Sequence, residues 1–179
     1  RRIYAVEHEP VTIVDGPGAP AVRAAPAIRL ENVRFTYPGR TAPQIRDVTI
    51  DIPAGATVAL VGASGAGKTT IAQLLLRFWD PEAGRILLDG HDLRDFRLDT
   101  LRRTIALVSQ DTYLFNDTLG GNIRIARPDA GDGQLAAAVR GAALAPLVER
   151  LPLGLDTPVG ERGTALSGGQ RQRVAVARA

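Results

Sequence analysis

The sequence predicts an α/β fold: a buried strand, a glycine-rich loop and a helix at its centre, an antiparallel β layer ahead of them and a helical layer behind. Three observations carry this expectation. The run Gly62-Ala63-Ser64-Gly65-Ala66-Gly67-Lys68-Thr69 lies between a short apolar stretch, 57–61, and a stretch with Ile71, Leu74, Leu75 and Phe78 at helical spacing. Ahead of it, apolar residues alternate over 28–37 and again over 48–52, the period of half-buried strands. Behind it, 118–151 is alanine-rich and broken by prolines into helix-length pieces.

Taken in order, residues 1–27 read as a connector. Charge and scattered apolar residues are mixed there, and Asp15-Gly16-Pro17-Gly18-Ala19-Pro20 followed by Pro26 cannot sustain a helix. Ile28 and Leu30 then alternate, and Val33, Phe35 and Tyr37 alternate in the opposite phase, which predicts a bulge near Glu31-Asn32. Pro38-Gly39-Arg40 turns the chain, and Val48, Ile50 and Ile52 form a returning strand. Pro53-Ala54-Gly55 leads into 57–61, whose composition suits a strand buried on both faces of a parallel sheet.

After the central helix, 84–90 reads as a strand closed by an Asp89-Gly90 turn. That turn accounts for Asp89; no glutamate follows it, so it is not read as a metal-holding aspartate. One or two helical turns are expected over 93–103 and a second buried strand over 105–108. That strand ends in Ser109-Gln110-Asp111, and residues just past the carboxyl ends of such strands line the ligand crevice of open α/β sheets. Helices are expected over 118–124, 134–141 and 143–151, then a Pro-Gly-punctuated loop over 153–163 and a last helix over 171–179.

The chemistry sits at two helix starts. A triphosphate needs several backbone N–H donors converging on it, and Gly62, Gly65 and Gly67 leave the space for that approach. The helix opening near Gly67 aims unpaired N–H groups and a positive dipole end at the phosphates. Lys68 reaches the β- and γ-phosphates in this pattern, and the Thr69 hydroxyl takes a place on Mg²⁺. Lys68 is also the only lysine among 22 basic residues, at the one position where a compact ammonium fits and a planar guanidinium does not. Leu166-Ser167-Gly168-Gly169-Gln170 opens the last helix in a similar way. It reads either as a plain serine N-cap with glycine entry or as a second anion site. Tyr37, at the end of its strand, either packs across strands or stacks on a base.

Composition narrows the function classes. There is no cysteine, hence no disulfide and no thiolate metal site, and His8 and His91 lie far apart. The net charge of +3 comes from dispersed arginines without a dense basic tract, and aromatics are 4% of the chain, so no nucleic-acid partner is expected. No apolar run reaches the ~20 residues of a membrane helix. The sequence lacks methionine and starts at Arg1; a piece of a longer chain is expected.

The pairing of the 62–69 loop with Leu-Ser-Gly-Gly-Gln at 166–170 resembles the ATP-binding cassettes of ABC transporters, and the similarity runs from about Ile28 to Ala179. The resemblance implies a P-loop NTPase core of the RecA-like kind with an antiparallel β layer and a helical subdomain. It implies ATP and Mg²⁺ as cofactors, with 62–69 and the adjacent Thr70 around the nucleotide. Tyr37 in Phe-Thr-Tyr-Pro-Gly looks like the family's adenine-stacking aromatic. Gln110 in Val-Ser-Gln-Asp matches its glutamine-loop residue, a ligand to Mg²⁺ or its water and a sensor coupled to the membrane domains. Leu166, Ser167, Gly168, Gly169 and Gln170 match the signature that contacts ATP held by an opposing cassette.

Phe115-Asn116-Asp117-Thr118 and the proline-rich connector are similar to lipid and multidrug half-exporters. Thr157 to Gly163 is similar to their coupling loop, with Glu161 and Arg162 facing the membrane helices; Pro158 departs from the usual pattern. The implied layout is a linker over 1–27 from a preceding transmembrane domain and a partial cassette over 28–179. Within it, 28–114 is β layer and core, 115–165 the helical subdomain and 166–179 the signature segment. Such cassettes continue into a strand ending Asp-Glu and a switch histidine, and this sequence ends at Ala179. The expectation is therefore an exporter ATPase on the cytoplasmic face of the cell membrane, partnered by a second cassette and a transmembrane domain, of which this stretch binds ATP but hydrolyses it poorly alone. The alternatives are a soluble ABC-type ATPase of repair, chromosome or translation work, or a non-catalytic nucleotide sensor. Long-coil members carry a large insertion between the two motifs, and no heptad run separates them here.

Overall fold

The computed structural model describes residues 11–18 and 21–179. The chain divides into two compact units, Arg1–Ile105 and Ala106–Ala179, each with its own apolar core.

The first unit is built on an antiparallel sheet of order β2-β1-β3-β4, formed by β1 (Ile28–Phe35), β2 (Ile45–Ile52), β3 (Ala83–Leu88) and β4 (His91–Asp92). β1 carries the bulge its phase change predicts. The register with β2 slips between Leu30 and Val33, and Asn32 takes a positive φ of 48°. The slip lets Leu30, Val33 and Phe35 all turn inward although they fall in two different phases. β3 accommodates it with Gly84, where a Cβ would run into the Glu31 and Asn32 carbonyls. The β3–β4 turn has positive φ at both Asp89 and Gly90, the geometry that selects Asp-Gly.

Against this sheet pack α1 (Lys68–Leu75) and α2 (Leu98–Thr104), with a 3₁₀ turn over Leu93–Asp95. Ile71 and Leu74 of α1 are buried, as their spacing predicts. Phe78 is not: the helix stops at Leu75, Arg77 turns left-handed with φ 48°, and Phe78 lies 46% exposed beneath the Arg102 guanidinium. Arg77 itself is buried. It forms a two-pronged ion pair with Asp80 at 3.0 and 3.1 Å and donates to the carbonyls of Leu93, Phe96 and Val14. The last of these bonds ties the connector down. Gly16 N–H donates to Phe96 O, and Asp15 accepts the Leu98 N–H at 2.7 Å, at the start of α2. Further along the connector, Gly18 N–H donates to Asp95 O at 2.9 Å, and the Arg23 and Ala27 N–H groups donate to the Asp89 carboxylate; the expected linker residues 1–10, 19 and 20 lie outside the described residues.

Two expected strands are absent as strands. Residues 57–61 and 106–108 form no regular element and pair with no strand among the described residues. Val61 is 94% exposed and Leu107 49%, where buried strands were expected. A strand needs a neighbour to take its N–H and C=O groups, and composition alone cannot supply one.

The second unit holds α3 (Leu119–Arg124), α4 (Asp132–Gly141), α5 (Ala145–Val148) and α6 (Gly168–Arg178) around Leu114, Leu119, Leu144, Val159 and Val174, all nearly fully buried. α5 is one turn, shorter than the expected 143–151, because Ala143 takes φ 52° at the end of α4 and breaks the path. Asn122 is completely buried and fully engaged. Its amide bonds both the N–H and C=O of Phe115, and Arg178 of α6 donates to its Oδ1 at 2.8 Å and to its backbone carbonyl at 2.7 Å.

Candidate nucleotide-binding site

The Gly62–Thr69 loop lies in the first unit and leads into α1, whose N-cap is Gly67 with φ 92° and no side-chain cap. The first N–H groups of an uncapped helix start have no partner within the helix, so Lys68, Thr69 and Thr70 present donors there. Gly67 has to be glycine for a second reason: a Cβ would lie 2.6 Å from Ile45 Cδ1 and 3.2 Å from Gln44 O. Residues Gly62 to Ala66 are solvent-exposed, and Ala66 N–H closes a turn on Ala63 O at 3.1 Å.

Lys68 folds back over this loop. Its Nζ donates to Gly62 O at 2.8 Å and Ala63 O at 2.9 Å, which puts a full positive charge inside the ring of backbone. The two threonines differ. Thr69 is exposed, whereas Thr70 is 4% exposed and its hydroxyl shares a 3.0 Å hydrogen bond with Tyr37. Tyr37 also donates to Gln73 Oε1 at 2.8 Å, so its ring is tied to α1. The ring stands edge-on to Phe35 and Trp79, with centroids 4.8 and 5.9 Å away.

The other singled-out residues belong to the second unit. Gln110 is exposed on the open stretch after 108, and with Asp111 and Thr112 it lines a concavity whose other wall is Gly168 and Arg171 at the start of α6. Ser167 caps α6. Its Oγ accepts from Gln170 N–H at 3.3 Å while Gln170 Oε1 accepts from Ser167 N–H at 2.8 Å, a reciprocal capping box. The hydroxyl proton of Ser167 is not consumed in that pair. Gly168 and Gly169 are exposed, and Leu166 is buried with its carbonyl held by Arg171 at 2.7 Å. Glu161 and Arg162 are exposed in a 3₁₀ turn between Gly160 and Gly163, with Arg162 itself left-handed at φ 53°.

Among the described residues no group of three or more His, Asp or Glu side chains comes together to hold a metal ion. A hard cation at the loop would rely on the Thr69 hydroxyl, phosphate oxygens and water, a donor set that suits Mg²⁺. Sequence reasoning missed Gln44, whose Nε2 donates to Gly65 O at 2.6 Å. It belongs to no motif, and only the approach of the β1–β2 connection to the loop makes it a neighbour.

The profile of the family described as ABC transporter matches residues 45–179. The chain is 52% identical over 158 residues to the ATP-dependent lipid A-core flippase of Escherichia coli K12, an alignment covering 88% of this chain and 27% of the flippase. The flippase of the same name from Shigella flexneri matches to the same extent. The chain thus spans about a quarter of the length of these curated relatives. Among solved structures, a bacterial Atm1-family ABC exporter with ATP bound superposes with a TM-score of 0.91 at 44% identity, over 99% of this chain and 31% of the exporter.

Proposed function

The chain belongs to the ABC transporter family, and from that premise we propose that it is the ATP-binding cassette of an exporter that moves a lipid or other hydrophobic compound across the cell membrane from a cytoplasmic site of ATP hydrolysis. The observation that carries the reading is the uncapped start of α1 with the Lys68 ammonium already inside the loop. The carbonyls of Gly62 and Ala63 hold that charge where β- and γ-phosphate oxygens would compete for it. Exchanging two neutral carbonyl acceptors for anionic phosphate oxygens adds ion–ion attraction to bonds the ammonium already strengthens, and so favours the anion. The Lys68, Thr69 and Thr70 N–H groups and the helix dipole add to the same pull.

In this reading Tyr37 flanks the base, the Thr69 hydroxyl takes a place on Mg²⁺, and Gln110 is the glutamine-loop residue that senses the nucleotide. The ion neutralises phosphate charge when bound. Leu166 to Gln170 address the γ-phosphate on a second cassette, with the free Ser167 proton and the exposed N–H groups of Gly168 and Gly169 as donors. Glu161 and Arg162 face the partner transmembrane domain. None of the described helices is long and apolar enough to cross a membrane; in this reading the partner domain forms the membrane path. The flippase relatives, named for lipid A-core, motivate the lipid class of substrate.

Titration of ATP into the full-length protein and its Lys68→Ala variant tests the assignment. Loss of the charge-assisted contacts, each worth about 1.5–3 kcal/mol, lowers affinity about tenfold or more. Superimposable titration curves would refute it.

A further inference from the structure

We propose that Gln44 is a positioning residue for the phosphate loop, an inference that rests on the nucleotide-binding reading of that loop. Gln44 stands at the end of the β1–β2 connection, where its backbone N–H donates to Phe35 O at 2.8 Å and so anchors it to the sheet. Its half-buried side chain crosses to the loop and donates to the Gly65 carbonyl at 2.6 Å. The N–H of that same peptide unit, on Ala66, points the other way and donates across the loop to Ala63 O at 3.1 Å. One peptide plane is therefore held from both sides.

The plane needs holding. Gly65, at φ 82°, has no Cβ to resist rotation about its own bonds. Turning the 65–66 peptide over would send the carbonyl oxygen across the loop where the N–H now points, a partial negative charge in a site built for phosphate. The far end of the loop is seated on the same two residues, since Gly67 packs against Ile45 Cδ1 and Gln44 O. Gln44 and Ile45 thus form one edge on which both glycines rest. The side-chain amide bonds the Gly65 carbonyl directly and so reads the orientation of that peptide.

The test measures dissociation constants of the full-length protein for ATP, for inorganic pyrophosphate and for adenosine. Gln44→Met keeps the length and volume of the side chain but has no donor; Gln44→Ala removes both. The proposal expects both variants to lose about 3- to 10-fold in affinity for ATP and for pyrophosphate, the range of one neutral hydrogen bond. Adenosine, which has no phosphate, binds both variants as it binds the parent. Parent-like pyrophosphate affinity in Gln44→Met would show that only bulk is needed and overturn the proposal. An equal loss for adenosine would overturn it as well, because the disturbance would not be specific to the phosphates. Lys68→Ala, measured alongside, separates the two levels. Parent-like ATP affinity in Lys68→Ala defeats the nucleotide-binding reading of the loop, whereas a loss there with unchanged Gln44→Met defeats the positioning role alone.

Discussion

Two cations of the first unit, half-buried Lys68 and buried Arg77, show what a single residue can reveal. Lys68 stood out in the sequence because it is the only lysine and sits in a loop whose chemistry requires an ammonium. Arg77 is one of many arginines and carries no motif, yet it is 3% exposed and joins α1's end to Asp80 and to the connector at Val14. Asp80, three positions on, supplies two of its five acceptors; the other three, the carbonyls of Val14, Leu93 and Phe96, come only with the tertiary arrangement. Tyr37 lies between these cases. Packing and base stacking were both open from sequence, and the ring now stands edge-on to Phe35 and Trp79 with its hydroxyl on Thr70 and Gln73. The roles separate by mutation. If the ring flanks the base, Tyr37→Ala weakens ATP and GTP alike by about 1–3 kcal/mol, since stacking uses any purine face. Tyr37→Phe keeps the ring, gives up only the two hydroxyl bonds, and retains most of the affinity. Competition titrations with both nucleotides check this, and a loss confined to one of them would point to a polar contact with the base.

At the scale of elements, the β3–β4 turn makes a pH-dependent contribution. Asp89 accepts the backbone N–H groups of Arg23 and Ala27, each at 2.9 Å, and these bonds hold its carboxyl below the usual range against the opposing effect of burial. A group whose pKa is depressed by folding stabilises the fold above its unfolded pKa, and that contribution is lost as pH falls through the folded value. Asp89→Asn keeps a residue tolerant of positive φ but removes the charge. The variant is therefore expected to be less stable than the parent at neutral pH, with the gap closing below about pH 4 as the parent carboxyl protonates. Urea midpoints at pH 7 and pH 3 decide it, and a gap unchanged between them would separate the effect from ionisation. The turn was legible from Asp-Gly alone. Its two distant donors were not, because the connector reaches Asp89 only in the folded chain.

On the scale of the whole molecule, the proposal divides labour between loop and signature. In that proposal two cassettes packed head to tail with C₂ symmetry would place the signature of each over the γ-phosphate on the other. Ser167→Arg then leaves ATP binding at the Lys68 loop intact and lowers hydrolysis by the full-length protein about 10²-fold or more, the scale of losing a donor aimed at transition-state charge. Lys68→Ala loses both. Retained binding in Ser167→Arg also serves as the control that the cassette still folds. Parent-like hydrolysis in that variant would mean the signature does not act on nucleotide across subunits.

What the sequence determined by itself is local. The phase change at Glu31-Asn32, the Asp-Gly turn, the glycine loop before a helix and the Ser167–Gln170 capping box all appear in the structure where residue order places them. Each depends on neighbours within a few positions, so backbone sterics and side-chain reach are enough. What the tertiary structure decided involves partners far along the chain. Residues 57–61 and 106–108 have strand composition but no ladder among the described residues, Phe78 loses its helix to the left-handed turn at Arg77, and Gln44 meets Gly65 across 21 positions. A strand, a buried guanidinium bonded to distant carbonyls and a loop clamp are all two-ended, and residue order specifies only one end at a time; the packing of the sheet against α1 brings the other.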